Sequence, residues 1–325
     1  MNEIFDCIIV GGGPAGATSA IYLKNAGKSV LLISESAIGG KVLETTEIRN
    51  IPGFASIPGA EYGQKLEEQL NSLDVKIEYN RVTKIEKDNR LFSVFCEDSI
   101  FTSKTVILAV GTKPRLLGVP VHLIKESDEP FPQYTNSTEE ENLGMGFHTC
   151  ALCDGIFYKD KTVAIIGGGN SAVTEALYLS NICKKVIVIQ NLMHLTAENS
   201  LVEKLQSKDN VEVWFGTVVN FFSKYDNYIE LTLSSYPMDN IRVDGVFISI
   251  GSIPNTEEFK NFVHCDDSGY VTVTGMMEPT HAVDGVFAAG DCTDTPIKQI
   301  TTACAQGTIA AKSAIEYINN FKGDN

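Results

Sequence analysis

Two cysteines carry the most reactive chemistry in the chain: Cys150-Ala151-Leu152-Cys153, followed at once by Asp154 and Gly155. A CxxC pair can close a small disulfide and, once reduced, stabilise a thiolate. Asp154 adjoins the second sulfur, where a carboxyl can shuttle the proton that each dithiol step requires; its other reading is a helix-capping acid. One CxxC is also half of a zinc site. No second CxxC or close His pair completes four ligands, and His148, two residues before Cys150, is poorly spaced for a tetrahedral site. The pair therefore reads as redox, with no metal.

The second chemistry is anion binding. Gly11-Gly12-Gly13-Pro14-Ala15-Gly16 is a GxGxxG turn after an apolar run, Cys7–Val10, and before a helical pattern. Gly11 permits the tight turn, Gly13 lets the backbone approach a pyrophosphate, and Gly16 lets the helix pack on the strand with its N-terminal amides facing the anion. Glu35 lies where a ribose-binding acid belongs, although Ser34 competes for the strand-end position and an exposed acid is the alternative. A second turn, Gly167-Gly168-Gly169-Asn170-Ser171-Ala172, is GxGxxA. NAD needs an acid at the end of the following strand and NADP needs arginines. The chain offers Gln190-Asn191-Leu192-Met193-His194-Leu195-Thr196, with no acid, Arg or Lys. The second unit has the turn and lacks the charged half of its reader, as a retained scaffold would.

These residues need strand–turn–helix–strand units to hold them. The first runs from Cys7–Val10 through a helix ended by Gly27 to a strand at Ser29–Ser34; the second runs from Thr162–Ile166 through a helix to Asn181 and on to Val186–Gln190. Two such units far apart in one chain predict two related domains. Short alternating segments at 75–94 predict an antiparallel extension, Thr105–Val110 and Gly285–Asp291 predict buried strands ending in glycine, and a helix from about Thr301 to Ile318 closes the chain. Residues 121–142 hold six acids against Lys125, which reads as a solvated loop or as a partner-docking lid.

Composition sets the outer limits. At 325 residues the chain is long for one compact domain, since domains average roughly 150 residues. No apolar run approaches the ~18–20 residues of a membrane span. Glu3 and Asp6 precede the first apolar stretch, unlike a secretory signal. A net charge of −15 argues against a general nucleic-acid or anionic-membrane binder. Six scattered cysteines and one CxxC are too few for a disulfide scaffold and predict a reducing, cytoplasmic compartment.

The order and spacing of Gly11–Gly16, Ala109-Val110-Gly111-Thr112, Cys150-x-x-Cys153-Asp154-Gly155, Gly167–Ala172 and Gly285–Asp291 with Lys298-Gln299 resemble the low-molecular-weight thioredoxin reductases. The resemblance covers essentially the whole chain and is closest over 150–186, where CxxCDG stands just before a second GxGxxA. It implies an α/β fold of two Rossmann-like, three-layer ββα domains, the second inserted into the first. Residues 1–118 and 248–325 would form the FAD domain, 119–247 the nucleotide-binding-like domain with the CxxC, and the assembly would be a homodimer. It also implies FAD contacts at Gly11, Gly13, Pro14, Ala15, Gly16, Glu35, Gly39, Gly40, Asn50, Thr112, Asp291, Lys298 and Gln299. Asp291 would meet the ribityl or phosphate end and Gln299 the ring. Cys150 would attack the substrate disulfide, Cys153 would face the flavin, and Asp154 would be the acid/base.

Departures from that family point to a subgroup. Its HRRxxxR reader aligns with Gln190–Thr196, so all three arginines are missing; Lys298 replaces an Arg and Lys41 a Gln; and the acidic segment is an insertion. These features resemble thioredoxin reductases that have lost NADPH use, the ferredoxin-dependent flavin and deeply rooted types. The expectation is a flavoenzyme passing electrons from FAD through Cys150–Cys153 to thioredoxin, with ferredoxin or another one-electron carrier as donor. Ferredoxins are acidic and a −15 protein repels them, so Lys159, Lys161, Lys184 and Lys185 would have to supply a local basic patch. The alternatives are an NAD(P)H-dependent reductase in which Gln190 and Asn191 bind the ribose, and a non-catalytic flavin redox sensor.

Overall fold

The computed structural model describes residues 3–321 apart from 46, 89, 126–132, 235–239 and 282, so the centre of the acidic segment lies outside the described residues. The chain divides into two compact units, residues 1–113 with 253–325, and 114–252.

In the first unit a seven-stranded sheet runs in the order Lys76–Tyr79, Val30–Ser34, Ile4–Val10, Ile100–Leu108, Leu91–Cys96, Val82–Asp88, and Val286–Ala288 also pairs with Ile100–Leu108. Its central strands are parallel and buried on both sides. Along Ile4–Val10, Cys7 and Ile9 enter one apolar cluster while Ile8 and Val10 enter the other. That is why the run carries no polar alternation: both faces are covered, by helices Pro14–Asn25 and Ile300–Asn319 on one side and by the β-extension on the other. One expectation fails. Lys76–Tyr79 is no part of an antiparallel extension but pairs in parallel with Val30–Ser34. Helix Gly59–Ser72 supplies the long crossover that a parallel pairing needs. Val82–Asp88 and Leu91–Cys96 do form the antiparallel part.

The second unit repeats the plan on a smaller scale. A parallel sheet runs Phe147–His148, Gly245–Ile248, Thr162–Ile166, Lys185–Ile189, Val211–Trp214. Val163 and Ile165 face one cluster, Ala164 and Ile166 the other. A second sheet of Asn240–Val243, Ile229–Ser234, Val218–Lys224, Val121–Lys125 and Gln133–Ser137 covers it. The fold is thus the expected pair of Rossmann-like units.

Part of the acidic segment is structure rather than solvated loop. Val121–Lys125 and Gln133–Ser137 pair antiparallel, and Glu139 is buried, 2% exposed. Its carboxylate accepts the amides of Leu117 at 2.8 Å and Val119 at 3.0 Å. Leu116, Leu117, Val119 and Ile250 pack on the apolar cluster of the second unit, which is why the unit spans 114–252 and not the 119–247 read from sequence. Burial pushes the Glu139 carboxyl up and the backbone amides pull it down. Losing charged hydrogen bonds at a buried site costs roughly 1.5–3 kcal/mol. Glu139→Ala is therefore expected to lower stability in urea unfolding by about 2–3 kcal/mol. The exposed neighbour Glu140→Ala should stay within about 0.5 kcal/mol.

Candidate active site

In the first unit the glycine turn has the shape that its spacing requires. Gly11 has φ +113°, and a Cβ on it would lie 2.2 Å from the Ala109 carbonyl oxygen. A Cβ on Gly16 would lie 1.9 Å from the Gly11 carbonyl oxygen. Gly13 differs: it is the N-cap of Pro14–Asn25, it has ordinary backbone angles, and no atom stands within 4 Å of where its Cβ would be. Pro14 occupies the first helical turn, and Ala15 is buried against the C-terminal helix, where a Cβ on Gly307 would lie 2.3 Å from the Ala15 carbonyl oxygen. The Gly39 amide donates to the Gly12 carbonyl at 2.9 Å, and a Cβ on Gly40 would stand 3.4 Å from the Gly13 Cα. Open space over Gly13, free helix amides and close-packed glycines behind fit a dinucleotide pyrophosphate.

Other predicted residues gather in the same unit. Lys41 Nζ lies 3.1 Å from Thr112 Oγ1 and 3.3 Å from Asp291 Oδ2. Asn50 donates to Gln299 Oε1 at 3.0 Å. Lys298 donates to the carbonyls of Asp291 and Thr293 at 2.9 and 3.0 Å and sits over the Tyr270 ring. Burial pulls the Lys298 ammonium down, with Asp291 opposing. Glu35 is exposed just past strand Val30–Ser34, while Ser34 is buried and donates to the Ser36 carbonyl. Glu35, not Ser34, is thus the exposed residue at the strand end. Lys41 is the residue the sequence reading passed over, as a mere departure from a family Gln.

In the second unit Cys150 and Cys153 form a disulfide, with Cα atoms 5.3 Å apart. The short helix Ala151–Asp154 holds them, and the Cys150 carbonyl accepts the amides of Cys153 and Asp154. Asp154 Oδ2 lies 2.9 Å from His148 Nδ1, and His148 Nε2 lies 2.7 Å from the Tyr158 hydroxyl. His148 stacks on Phe247 and is buried. Asp154 is thus tied to a histidine that spacing had suggested only as a poor zinc ligand. Among the described residues no group of three or more His, Cys, Asp or Glu could hold a metal ion.

Glu175, on helix Asn170–Ser180, has its Oε2 buried with no partner; Ser249 and the Ala151 amide only partly offset that burial. Burial pushes its carboxyl up to about 7. No pattern in the sequence marks it, because its neighbours Ala151 and Ser249 come from two distant segments.

The second glycine turn is formed but partly filled. Gly167 has φ +133° and closes on the Ser249 carbonyl. A Cβ on Gly168 would meet the Gln190 side chain at 2.3 Å. Gln190 is buried and donates to the His194 carbonyl at 3.1 Å, and Thr196 and Ala197 donate their amides to the Gly168 carbonyl. The reader segment folds back onto the turn and presents no cation to it.

Residues 5–307 match the family described as pyridine nucleotide-disulphide oxidoreductase. The chain belongs to the pyridine nucleotide-disulphide oxidoreductase family. It is 34% identical over 328 residues to a thioredoxin reductase of Ureaplasma parvum serovar 3, covering 98% of this chain and 99% of that one. It is 31% identical over 325 residues to a thioredoxin reductase of Bacillus subtilis, covering 99% and 97%. The crystal structure of thioredoxin reductase from Streptococcus pyogenes MGAS5005 aligns with a TM-score of 0.85 at 33% identity, over 99% of this chain and 100% of that one. This member of the pyridine nucleotide-disulphide oxidoreductases is a thioredoxin reductase-like flavin disulfide oxidoreductase, and its cofactor is FAD. Among the described residues no helix is long and apolar enough to cross a membrane.

Two outcomes follow. Gly13→Val should fold, giving wild-type circular dichroism, but retain less than about a tenth of the flavin, because its side chain fills the space a pyrophosphate needs. Gly16→Val should fail to accumulate as folded protein, since the clash is with backbone. For Glu175, the folded-state value lies above the ordinary 4.5, so the native state holds the extra proton. That contribution is fully present below about 4.5 and is lost as pH rises through about 7. Relative to Glu175→Gln, the wild type should therefore lose on the order of 1–3 kcal/mol between these limits. Parallel melts at pH 4.5 and 8 check this.

Proposed function

We propose that the chain reduces the disulfide of thioredoxin with electrons passed from FAD to Cys150–Cys153, and that its electron donor is not NADPH. Gly11, Gly13, Pro14, Ala15, Gly16, Glu35, Gly39, Gly40, Asn50, Thr112, Asp291, Lys298 and Gln299 hold FAD in this reading. When bound, FAD supplies a two-electron store that a one-electron carrier can fill in two steps. The chain's own residues do the rest. The Cys150 thiolate attacks one sulfur of the partner disulfide and forms a mixed disulfide. Cys153 then attacks Cys150, the bond to the partner breaks, and Asp154 takes the Cys153 proton.

One observation carries the donor reading: Gln190 and its segment fill the place of a ribose reader and bring no cation there. A 2′-phosphate left without two arginines loses roughly 1.5–3 kcal/mol for each, or about 10²–10⁴-fold in affinity. A ferredoxin-class carrier supplies single electrons in NADPH's place. The lysine patch expected for it is thinner than the sequence suggested, because Lys185 pairs with Glu212 at 2.8 Å and Lys161 lies over the Tyr158 ring. A homodimer, on the resemblance, and a cytoplasmic location, on the sparse cysteines, complete the reading.

The decisive assay follows flavin bleaching and thioredoxin turnover together. Reduced ferredoxin should bleach the flavin and sustain turnover, and NADPH in the micromolar range should do neither. Turnover with NADPH at a micromolar Michaelis constant would overturn the donor reading. Cys153→Ser should trap a covalent thioredoxin adduct through Cys150 that thiol reductant releases, and Cys150→Ser should trap none.

A further inference from the structure

We propose that His148 and Tyr158 form a proton path that connects Asp154, beside the redox cysteines, to a solvent-open pocket that Tyr158 lines. The inference deepens the reading above, since it rests on Asp154 as the acceptor of the Cys153 proton.

Three side chains make two consecutive short hydrogen bonds: Asp154 Oδ2 to His148 Nδ1, 2.9 Å, and His148 Nε2 to Tyr158 Oη, 2.7 Å. Both ring nitrogens of His148 are engaged, so the chain supports two arrangements. In one, Tyr158 donates to Nε2 and Nδ1–H donates to the Asp154 carboxylate. In the other, protonated Asp154 donates to Nδ1 and Nε2–H donates to the Tyr158 oxygen. The second holds one proton more than the first, so passing from the second to the first releases that proton from Tyr158 while the imidazole stays neutral throughout. Local packing favours a relay over a fixed ion pair. His148 and Asp154 side chains are 4% and 13% exposed, and the imidazole stacks on Phe247 with ring centroids 5.1 Å apart. Charge stranded there is costly.

Tyr158 is one of the residues lining a cavity of about 310 Å³, together with Lys161, Lys224 and Asp244. Lys161 and Asp244 are exposed, so the cavity meets solvent. Burial, then the charges of Asp154, Asp244 and Cys183, hold the Tyr158 phenol well above its ordinary value, which keeps it a neutral hydroxyl that accepts and donates at once. Lys161 Nζ stands 5.5 Å from its ring centroid. Glu175, which the Ala151 amide influences, is the further acid near the redox helix.

The balance is complete. When Cys153 attacks Cys150, the Cys150–Cys153 bond forms and the Cys150–partner bond breaks. The dithiol is oxidised by two electrons, and the partner disulfide is reduced by two. The Cys153 proton goes to Asp154, then to Nδ1, while Nε2–H passes to Tyr158 and the phenol proton to pocket water. The two partner sulfurs take two protons from solvent. Reduction of Cys150–Cys153 in the other half of the cycle consumes protons and runs the path inward, which resets it.

The test uses the flavin-loaded enzyme with its cysteines reduced, oxidised by thioredoxin disulfide and, separately, by the small disulfide 5,5′-dithiobis(2-nitrobenzoate). Rates of wild type, Tyr158→Phe and His148→Gln are compared from pH 6 to 9. Tyr158→Phe keeps the packing and the His148–Asp154 contact. Without the path Cys153 must lose its proton to solvent hydroxide. Both variants should therefore be slower by about tenfold near pH 6.5 and converge on wild type above the ordinary thiol range near 8.5. A deficit independent of pH, or a Tyr158→Phe profile that overlays wild type, overturns the proposal. If thioredoxin is not reduced by wild type but the small disulfide shows the pH-dependent deficit, the proposed function fails and the path stands.

Discussion

A Cβ on Gly16 would sit 1.9 Å from the Gly11 carbonyl oxygen, and one on Gly11 would sit 2.2 Å from the Ala109 carbonyl oxygen. The first strand, the turn and the first helix can therefore approach only as bare backbone. That approach aims the amides of Pro14–Asn25 at the open space over Gly13 and lets the C-terminal helix lie on Ala15. The Gly39–Gly40 loop docks on the same turn. Once this contact forms, residues distant in sequence converge: Lys41 on Thr112 and Asp291, and Asn50 on Gln299. The second unit solves the same problem with Gly167 against Ser249, and Ala172 stands where the first unit has Gly16. It keeps the turn and spends the mouth on its own Gln190.

Buried charge governs the redox end. Asp154 is paired through His148, whereas Glu175 keeps one oxygen unpartnered and is pushed up to about 7. Two carboxyls thus stand at one four-residue helix: Asp154, bonded to His148, and Glu175, which burial pushes up. Close-packed neighbours fix this arrangement. Tyr158 fills the space that a side chain at Gly245 would need, and Phe247 covers the imidazole of His148.

Much of this was legible in the residues. Both glycine turns, the CxxC and the buried parallel strands have local signatures, because backbone strain and two-sided burial restrict residue types directly. Lys76–Tyr79 misled, since a short alternating strand has the same pattern in either direction and only the preceding crossover decides. Glu139 read as one solvated acid among six, because its partners are backbone amides that no residue type announces. His148 was visible only as a mismatched ligand. Its role depends on Tyr158 and Asp154 lying on the same side of a two-residue strand, a relation set by tertiary packing. Lys41 looked like a substitution and proved to be a tie among the flavin-site candidates.

The central claim is that FAD and the Cys150–Cys153 disulfide form one electron pathway. An anaerobic dithionite titration of the purified holoprotein tests it most directly by counting electrons. The account predicts about four electron equivalents per chain, two for FAD and two for the disulfide, falling to about two in Cys150→Ser. Wild-type protein that takes up only two, with its disulfide left oxidised while the flavin is fully reduced, would contradict it.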